Sequence, residues 1–247
     1  MTRQAEIAYE GLSKAARVRY IARMFGRVSG RYDLLNTVMT VGCHHGWRKE
    51  AAMAVAQGLQ GDALDVATGT GDLALALARQ PGMARVVGLD MVVEMVALAR
   101  SKASRAGMGE WASFCRGDAL ALPFPDGAFV CVTSGFAMRN VVDVTRAVRE
   151  MARVTQTGGR IAILEFVPQK TRSLVAASQR CYIQRMVPAL GGLLSGEREA
   201  YSYLSRSVDG FQSAEQLAGT MEAAGLRSVR VRKLGLGAVG LLVGEKG

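Results

Sequence analysis

The sequence has few of the residues that build metal centres and disulfide frameworks. Its 247 residues include four cysteines and two histidines, and the cysteines, at positions 43, 115, 131 and 181, form no Cys-x-x-Cys pair. His44 and His45 alone do not complete a metal site. We therefore predict neither a metal centre nor a disulfide. Cys115 and Cys131 lie in apolar runs and are expected to be small core residues.

Long hydrophobic runs are missing as well. No stretch of about 18 uncharged apolar residues is present, so the pattern of a membrane-spanning helix is excluded. The N-terminus carries Arg3, Glu6 and Glu10 and lacks the apolar segment of a secretory signal. Aromatic residues make up 6% of the chain and do not alternate with basic ones, which argues against nucleic-acid binding despite a net charge of +10. We expect a soluble, cytoplasmic protein without a nucleic-acid partner.

Two patterns divide the chain near residue 58. Residues 1–57 carry apolar residues at helical spacing and are predicted to form an N-terminal helical cap. Residues 58–247 alternate short apolar runs with helical segments, which is typical of a parallel, doubly wound α/β sheet within a single compact domain. Strands are predicted at 63–67, 85–90, 111–117, 128–134 and 160–166, with helices at 73–79, 92–106 and 141–155.

The C-terminal part predicts a change of strand direction. A mostly helical insert at about 171–210 interrupts the alternation. Ser213 is then predicted to cap a helix that ends before Gly225. Residues 226–234 and 238–243 are expected to form a β-hairpin. The predicted fold is therefore a Rossmann-like sheet whose last strand is antiparallel.

A glycine-containing loop follows the first predicted strand, over residues 65–72. Ligands of an open α/β sheet bind beyond the carboxyl ends of its strands, at the point where the strand order reverses. Gly69 and Gly71 allow a ligand to approach the backbone closely. A tight turn with no ligand is an equal alternative for this loop by itself.

Acidic residues also follow the second and third predicted strands. A carboxylate at Asp90 can accept hydrogen bonds from both hydroxyls of a ribose, although a helix N-cap is an equal alternative. Asp118, between Gly117 and Ala119, can accept a hydrogen bond from an adenine amine. Features at three successive strand ends are hard to assign to turns alone, so together they predict a nucleoside site.

The charge around the loop discriminates between nucleosides. Gly69 and Gly71 with Ala74 also satisfy the relaxed dinucleotide fingerprint, which seats a pyrophosphate on a helix N-terminus. Asp72 begins that helix here and repels a pyrophosphate. Together with Asp65 and Asp90 it favours a ligand with sulfonium and ammonium groups. The residues therefore predict S-adenosylmethionine rather than NAD.

Several segments resemble one known family, the quinone C-methyltransferases of menaquinone and ubiquinone biosynthesis (the UbiE/MenG/COQ5 family). The resemblance runs from about Met24 to Lys246, and its most specific parts are the Tyr-Asp-x-x-Asn and Phe-x-x-Arg-Asn-Val segments. The segments that carry it are Met24-Phe25, Tyr32-Asp33-Leu34-Leu35-Asn36, Gly42 with His44 and Trp47, Leu64 to Asp72, Gly117-Asp118-Ala119, Leu122 to Asp126, Gly135 to Val141, Gly158-Gly159-Arg160, Leu164-Glu165-Phe166 and Tyr201 to Leu204.

The resemblance implies a class I S-adenosylmethionine-dependent methyltransferase. Its expected reaction is C-methylation of a polyprenyl quinol, first of all demethylmenaquinol to menaquinol. The alternatives are the benzoquinol precursor of ubiquinone, another phenolic or lipid acceptor and, more remotely, a cofactor-binding interaction protein without turnover. The residues expected to bind the cofactor are Asp65, Gly69, Thr70, Gly71, Asp90, Met91, Asp118, Ala119 and Ser134, the last beside Gly135, where many family members have a serine.

Four residues are expected to act on the acceptor. Arg139 and Asn140 follow the fourth strand, and Arg139 is expected to hold developing oxyanion charge, since an arginine remains charged. Tyr32 and His44 complete the predicted pocket, with His44 as a candidate base. As alternatives, Tyr32 pins a helix to the sheet and His44 caps a helix.

A polyprenyl quinol resides in a bilayer, so the resemblance also implies transient contact with a membrane surface. We expect peripheral association at the inner face of the cell membrane, and a homodimer is a further expectation. The insert at about 171–210 has apolar residues among arginines, which suits an apolar tail channel or an interfacial patch, and equally a dimer interface or a lid.

Overall fold

In a computed structural model, residues 12–168, 203 and 207–247 are described. The strands are β1 (Gly61–Val66), β2 (Met83–Asp90), β3 (Ala112–Arg116), β4 (Phe129–Gly135), β5 (Thr155–Phe166), β6 (Leu226–Leu234) and β7 (Val239–Lys246). The α-helices are α1 (Lys14–Val28), α2 (Tyr32–Thr40), α3 (Cys43–Ala56), α4 (Asp72–Ala78), α5 (Val93–Arg105), α6 (Val144–Val154) and α7 (Ala214–Ala223).

All seven strands pair in one sheet with the order β3-β2-β1-β4-β5-β7-β6. β1 pairs in parallel with β2 on one side and β4 on the other, so the strand order reverses between β1 and β4. β7 runs antiparallel to both β5 and β6. The predicted doubly wound sheet with an antiparallel end is confirmed, and the predicted ligand position falls at the reversal between β1 and β4.

Both faces of the sheet are covered, which explains why its central strands read as continuous apolar runs. One core cluster packs α3, α4 and α5 against one face, around residues such as Val55, Leu77 and Phe114. The other packs α6 and α7 against the opposite face, around Met151 and Leu217. Buried Cys131 belongs to the first cluster, as expected for a small core residue.

The helix ends follow local hydrogen bonds. Ser213 begins α7 with a full capping box, in which its side chain accepts from the Gln216 backbone while the Gln216 side chain accepts from Ser213. Asp143 caps α6, so that helix begins later than predicted. The predicted start of β5 at Arg160 is wrong, because the strand begins at Thr155 and Gly158-Gly159 lie within it. A Cβ at Gly159 would lie 2.7 Å from the Val130 carbonyl oxygen, which explains the glycine.

Three α-helices form the described part of the predicted cap. Ser13 caps α1, and a short 3-10 turn links α1 to α2. α3 begins at Cys43, after Val41 and Gly42 take positive φ angles. Among residues 12–168, 203 and 207–247, no helix is long and apolar enough to cross a membrane. The insert at 171–210 lies almost wholly outside the described residues, so its roles, like the domain boundary at residue 58, stay predictions.

Candidate active site

A cavity lies at the carboxyl ends of β1, β2 and β4, where the strand order reverses. Its floor is the loop after β1, and helices α1 and α2 cover it. Of the predicted site residues, the structure brings nine together in its wall: Tyr32, Asp65, Gly69, Thr70, Asp90, Met91, Asp118, Ala119 and Asn140. The other four, Gly71, Ser134, Arg139 and His44, are not in that wall.

The two loop glycines are required for different reasons. Gly69 has a φ of 56° and faces the cavity, where a Cβ would meet only the Tyr32 ring at 3.9 Å. Gly71 has a φ of 85°, and its Cβ would lie 2.9 Å from the Phe114 ring and 3.0 Å from Ala99. Gly71 therefore serves the packing of the loop on the sheet, and it does not face the cavity.

Asp90 lies in the cavity wall, where it can accept ribose hydroxyls, and it is not the N-cap of α5, because Val92 holds that position. It is buried, and burial raises the pKa of its carboxyl, although backbone donors oppose the rise. Its Oδ1 accepts from the Val92 backbone at 2.9 Å, and its Oδ2 accepts from the Gly69 backbone at 2.8 Å. Each oxygen retains a second acceptor position, so the side chain can hold the loop and still accept hydroxyl groups in the cavity.

Asp65 ties the loop to the neighbouring strand. Its Oδ2 accepts from the Thr68 hydroxyl at 2.6 Å, and its Oδ1 accepts from the Thr133 hydroxyl of β4 at 2.7 Å. Burial raises the pKa of Asp65 to about 6, against these hydrogen bonds. At the third strand end, Asp118 Oδ1 accepts from the Leu120 backbone at 2.9 Å and forms a tight turn whose residues line the cavity.

A polar network that the sequence reasoning missed joins α2 to the loop. The Thr70 hydroxyl donates to Asp33 Oδ1 at 2.5 Å and accepts from Lys102 Nζ at 2.9 Å. Lys102 Nζ also lies 2.6 Å from Asp33 Oδ2 and 2.5 Å from Asp72 Oδ1. Lys102 lies on α5, far from the loop in sequence, and no local pattern identifies it.

The same network changes the meaning of Asp72. Lys102 and Arg48, whose NH1 lies 3.5 Å from Asp72 Oδ2, both pair with this carboxylate. Their charges lower the pKa of Asp72 although its burial opposes this. Asp72 is therefore neutralised within the chain. The prediction that Asp72 repels a pyrophosphate through its charge is therefore wrong, because Lys102 and Arg48 already pair with this charge.

His44 lies beneath the network, outside the cavity wall. It is buried, its Nε2 lies 3.2 Å from the Thr37 hydroxyl, and its Nδ1 contacts Arg48. Burial and then the charge of Arg48 lower its pKa to about 4, so it is neutral near pH 7. It caps no helix, since Gly42 holds the N-cap of α3. Both ring nitrogens already have partners within the chain, so neither is free to accept a proton from a ligand in the cavity. The structure therefore does not support a catalytic base here.

The same region brings together three metal-ligating side chains. One ligand atom each from His44, His45 and Asp72 lie within 4.8 Å of one another. The guanidinium of Arg48 already contacts both His44 and Asp72. A cation of the chain itself therefore occupies this place, and we assign no metal to it.

The segment after β4 leaves polar atoms without partners. Asn140 lines the cavity, and its buried Oδ1 has no hydrogen-bond partner among the described residues. The Arg139 side chain is buried behind the wall, where NH1 lies 2.6 Å from Glu165 Oε1, and in the same described part of the chain its Nε has no partner. Ser134 is buried away from the wall, whereas Gly135 lines it. A Cβ at Gly135, where many family members have a serine, would lie 3.1 Å from the Leu73 side chain, so the position is tightly bounded.

Apolar side chains form the rest of the cavity. Tyr32 lies edge-on to Phe25, with their ring centroids 6.1 Å apart, and both belong to the covering helices. The remaining apolar wall comprises Val18, Ile21, Ala22, Leu73, Leu89, Val92, Met95, Leu120, Phe136, Val141 and Val142. The cavity wall therefore combines carboxylates at the strand ends with an apolar lining, and Asn140 lies in the same wall.

Comparison with known proteins identifies the family. The model of the ubiE/COQ5 methyltransferase family matches residues 13–246. This chain belongs to that family. It is therefore an S-adenosylmethionine-dependent C-methyltransferase of the kind that acts in menaquinone and ubiquinone biosynthesis.

Named relatives match most of the chain. It is 44% identical over 223 residues to the demethylmenaquinone methyltransferase of Thermus thermophilus, covering 90% of this chain and 100% of the relative. The enzyme of that name from Deinococcus radiodurans is 42% identical, with 92% of each chain covered. The ubiquinone/menaquinone biosynthesis C-methyltransferase UbiE of Geobacter sulfurreducens is 38% identical, covering 97% of this chain and 92% of the relative.

A solved structure supports the fold. A SAM-dependent methyltransferase of Thermotoga maritima has a TM-score of 0.65 at 17% identity, covering 92% of this chain and 100% of the other.

The cavity also suits S-adenosylmethionine by its own donors and acceptors. Buried Asp90 retains acceptor positions for ribose hydroxyls, and Gly69 allows close approach of the backbone.

Proposed function

We propose that this enzyme methylates a ring carbon of demethylmenaquinol to form menaquinol. The observation that carries the proposal is the buried Asn140 Oδ1, an acceptor without a partner among the described residues, in the wall of a largely apolar cavity. A buried unpartnered acceptor costs about 1–3 kcal/mol unless a ligand supplies a donor. A naphthoquinol such as demethylmenaquinol supplies a donor from a hydroxyl group, and its two fused rings suit the apolar wall.

The bound cofactor supplies a methyl group on a sulfonium, and the chain must supply the rest. A quinol ring carbon becomes a stronger nucleophile when the neighbouring hydroxyl loses its proton, which passes to solvent. After methyl transfer the hydrogen of that ring carbon leaves as a proton and returns to the oxygen, which restores the aromatic quinol. Asn140 Oδ1 orients that hydroxyl by accepting its hydrogen bond. Tyr32 and Phe25 on the covering helices exclude water from the reacting atoms.

Arg139 contributes charge near Asn140. Its guanidinium lies behind the wall on Glu165, adjacent in sequence to Asn140. Its pairing with Glu165 offsets this charge, so Arg139 presents the dipole of an ion pair to the ring oxygen and takes up no proton. In this proposal Arg139 acts by its field and Asn140 by contact, and His44 has no part in the chemistry.

The names of the relatives favour a naphthoquinol. Those at 42% and 44% identity are named for demethylmenaquinone alone, and the relative at 38% is named for ubiquinone and menaquinone together. A benzoquinol acceptor is therefore the second candidate. We also propose that the enzyme meets its polyprenyl substrate at a membrane surface, because such a substrate partitions into the bilayer.

The test is transfer of labelled methyl groups from S-adenosylmethionine to lipid vesicles that hold the acceptor. We expect label in the quinone fraction with demethylmenaquinol, and none when the same quinone stays oxidised. Label on the benzoquinol precursor alone would replace the naphthoquinol by the second candidate. Complementation of a bacterial strain without its quinone methylase, followed by mass measurement of its quinones, gives the same answer in cells.

A further inference from the structure

One buried carboxylate of the site region has no role in the function proposed above. Glu165 lies near the carboxyl end of β5, and it is fully buried. Its strand is central, with β4 on one side and β7, where it pairs with Gly240, on the other. The backbone that carries Glu165 is therefore held in place from both sides.

Glu165 accepts three hydrogen bonds, two of them from the segment after β4. Its Oε1 accepts from Arg139 NH1 at 2.6 Å and from its neighbouring Phe166 backbone at 2.8 Å. Its Oε2 accepts from the Arg139 backbone at 3.2 Å. Arg139 NH1 donates in addition to the Phe136 carbonyl at 2.5 Å. One carboxylate thus holds both the backbone and the side chain of Arg139.

The held segment is a single 3-10 turn, Met138–Asn140, which ends on the residue with the unpartnered oxygen. A turn this short has few hydrogen bonds of its own, so an external anchor decides its orientation. A buried ion pair is weak support for stability, since apolar residues of similar size often stabilise as well. The contacts of the Glu165–Arg139 ion pair instead define where the Arg139 guanidinium and Asn140 Oδ1 lie.

We propose that Glu165 is a positioning residue for methyl transfer. It orients the turn Met138–Asn140 so that Asn140 Oδ1 meets the quinol oxygen while Arg139 stays behind the cavity wall, and it does not itself touch the substrate. This inference rests on the proposed function, because it takes the quinol as the ligand of Asn140.

The test compares Glu165→Gln with Glu150→Gln. Glu150 also joins an arginine and a backbone donor, with Arg153 NH2 and the Leu122 backbone at 2.9 and 2.8 Å, and none of these residues lines the cavity. For Glu165→Gln we expect kcat to fall on the order of 10- to 100-fold with unchanged affinity for S-adenosylmethionine. For Glu150→Gln we expect kcat within about twofold of the parent enzyme.

A double-mutant cycle distinguishes positioning from a general loss of structure. If Glu165 acts through Asn140, its replacement in an Asn140→Ala background lowers kcat by less than about threefold. An equal loss in both backgrounds would overturn the proposal, as would full kcat in Glu165→Gln. If Glu165→Gln does not fold, Glu165→Asp carries the same cycle with the charge kept and the anchor shortened.

The wild-type assay separates this inference from the proposed function. No methylation of demethylmenaquinol by the folded wild-type enzyme would sink the proposed function before any variant is measured. Wild-type turnover together with an insensitive Glu165→Gln would sink the positioning role alone. Calorimetry of S-adenosylmethionine binding distinguishes the two explanations of a lower kcat. A general distortion of the fold would weaken this binding, whereas displacement of the turn Met138–Asn140 alone would leave it unchanged.

Discussion

The loop after β1 and the segment after β4 lie on two sides of one cavity, but they treat their polar atoms differently. In the loop, Asp65 and Asp90 accept hydrogen bonds from hydroxyls and backbone donors of the chain itself. In the segment after β4, Asn140 Oδ1 and Arg139 Nε are buried without partners in the part of the chain that the structure describes. The protein itself thus supplies the hydrogen bonds in the loop, whereas in our proposal the quinol supplies the donor for Asn140.

Breaking the loop at Asp90 is expected to have the largest effect. Asp90→Ala removes the acceptor for the Gly69 and Val92 backbones together with the proposed ribose partner. We expect the affinity for S-adenosylmethionine, measured by calorimetry, to fall about 1000-fold or more. Asp62→Ala, at an exposed aspartate at the start of β1, is the matched control and should bind normally. Normal affinity in Asp90→Ala would remove Asp90 from the cofactor site.

The burial of Asp65 predicts a pH-dependent stability. Its folded-state pKa is raised from 3.8 to about 6, so its contribution is fully present below pH 3.8 and is lost as the pH rises through 6. Relative to Asp65→Asn, the wild type should therefore lose about 3 kcal/mol of unfolding free energy over this window.

The comparison with Asp65→Asn is needed because His44 acts in the opposite direction. Its pKa is lowered from 6.5 to about 4, so its contribution is present above pH 6.5 and is lost as the pH falls through 4. Urea unfolding of both proteins at several pH values gives the difference. Parallel curves for the two proteins would show that Asp65 titrates normally in the fold.

Asn140→Ala probes the opposite side of the cavity. It removes the unpartnered acceptor, and we expect kcat with the reduced quinone to fall about 30- to 100-fold. The affinity for S-adenosylmethionine should not change, because the loop after β1 keeps all its bonds. A loss of cofactor affinity with unchanged kcat would reverse the assignment of the two sides.

The smallest expected effect is at Lys102. Lys102→Met leaves Asp33 and Asp72 without this cation and breaks its bond to Thr70. We expect about a tenfold loss of cofactor affinity, since the groups are partly exposed and solvent offsets part of the change. Lys49→Met, at an exposed lysine of α3, is the control. Equal affinities in the two variants would separate the network from cofactor binding.

Much of the fold and part of the candidate site could be predicted from the sequence. Strand β4 and the loop Asp65–Asp72 can each be predicted from a few neighbouring residues. Burial on both faces of a strand and a turn at its end are requirements that the local sequence must meet. Gly69 and Asp90 reach the predicted cavity for that reason. The role of Gly71 was misjudged, because its contact with Phe114 joins residues far apart in sequence.

The sequence by itself determined the order of helices and strands, the family and the cofactor, since each depends on motifs that are local in the chain. Only the tertiary structure decided which charges are free. Lys102 and Arg48 neutralise Asp72, and Glu165 draws Arg139 behind the cavity wall. The free energy of an ion depends on its burial and on partners brought from distant segments, and neither is written in the local sequence.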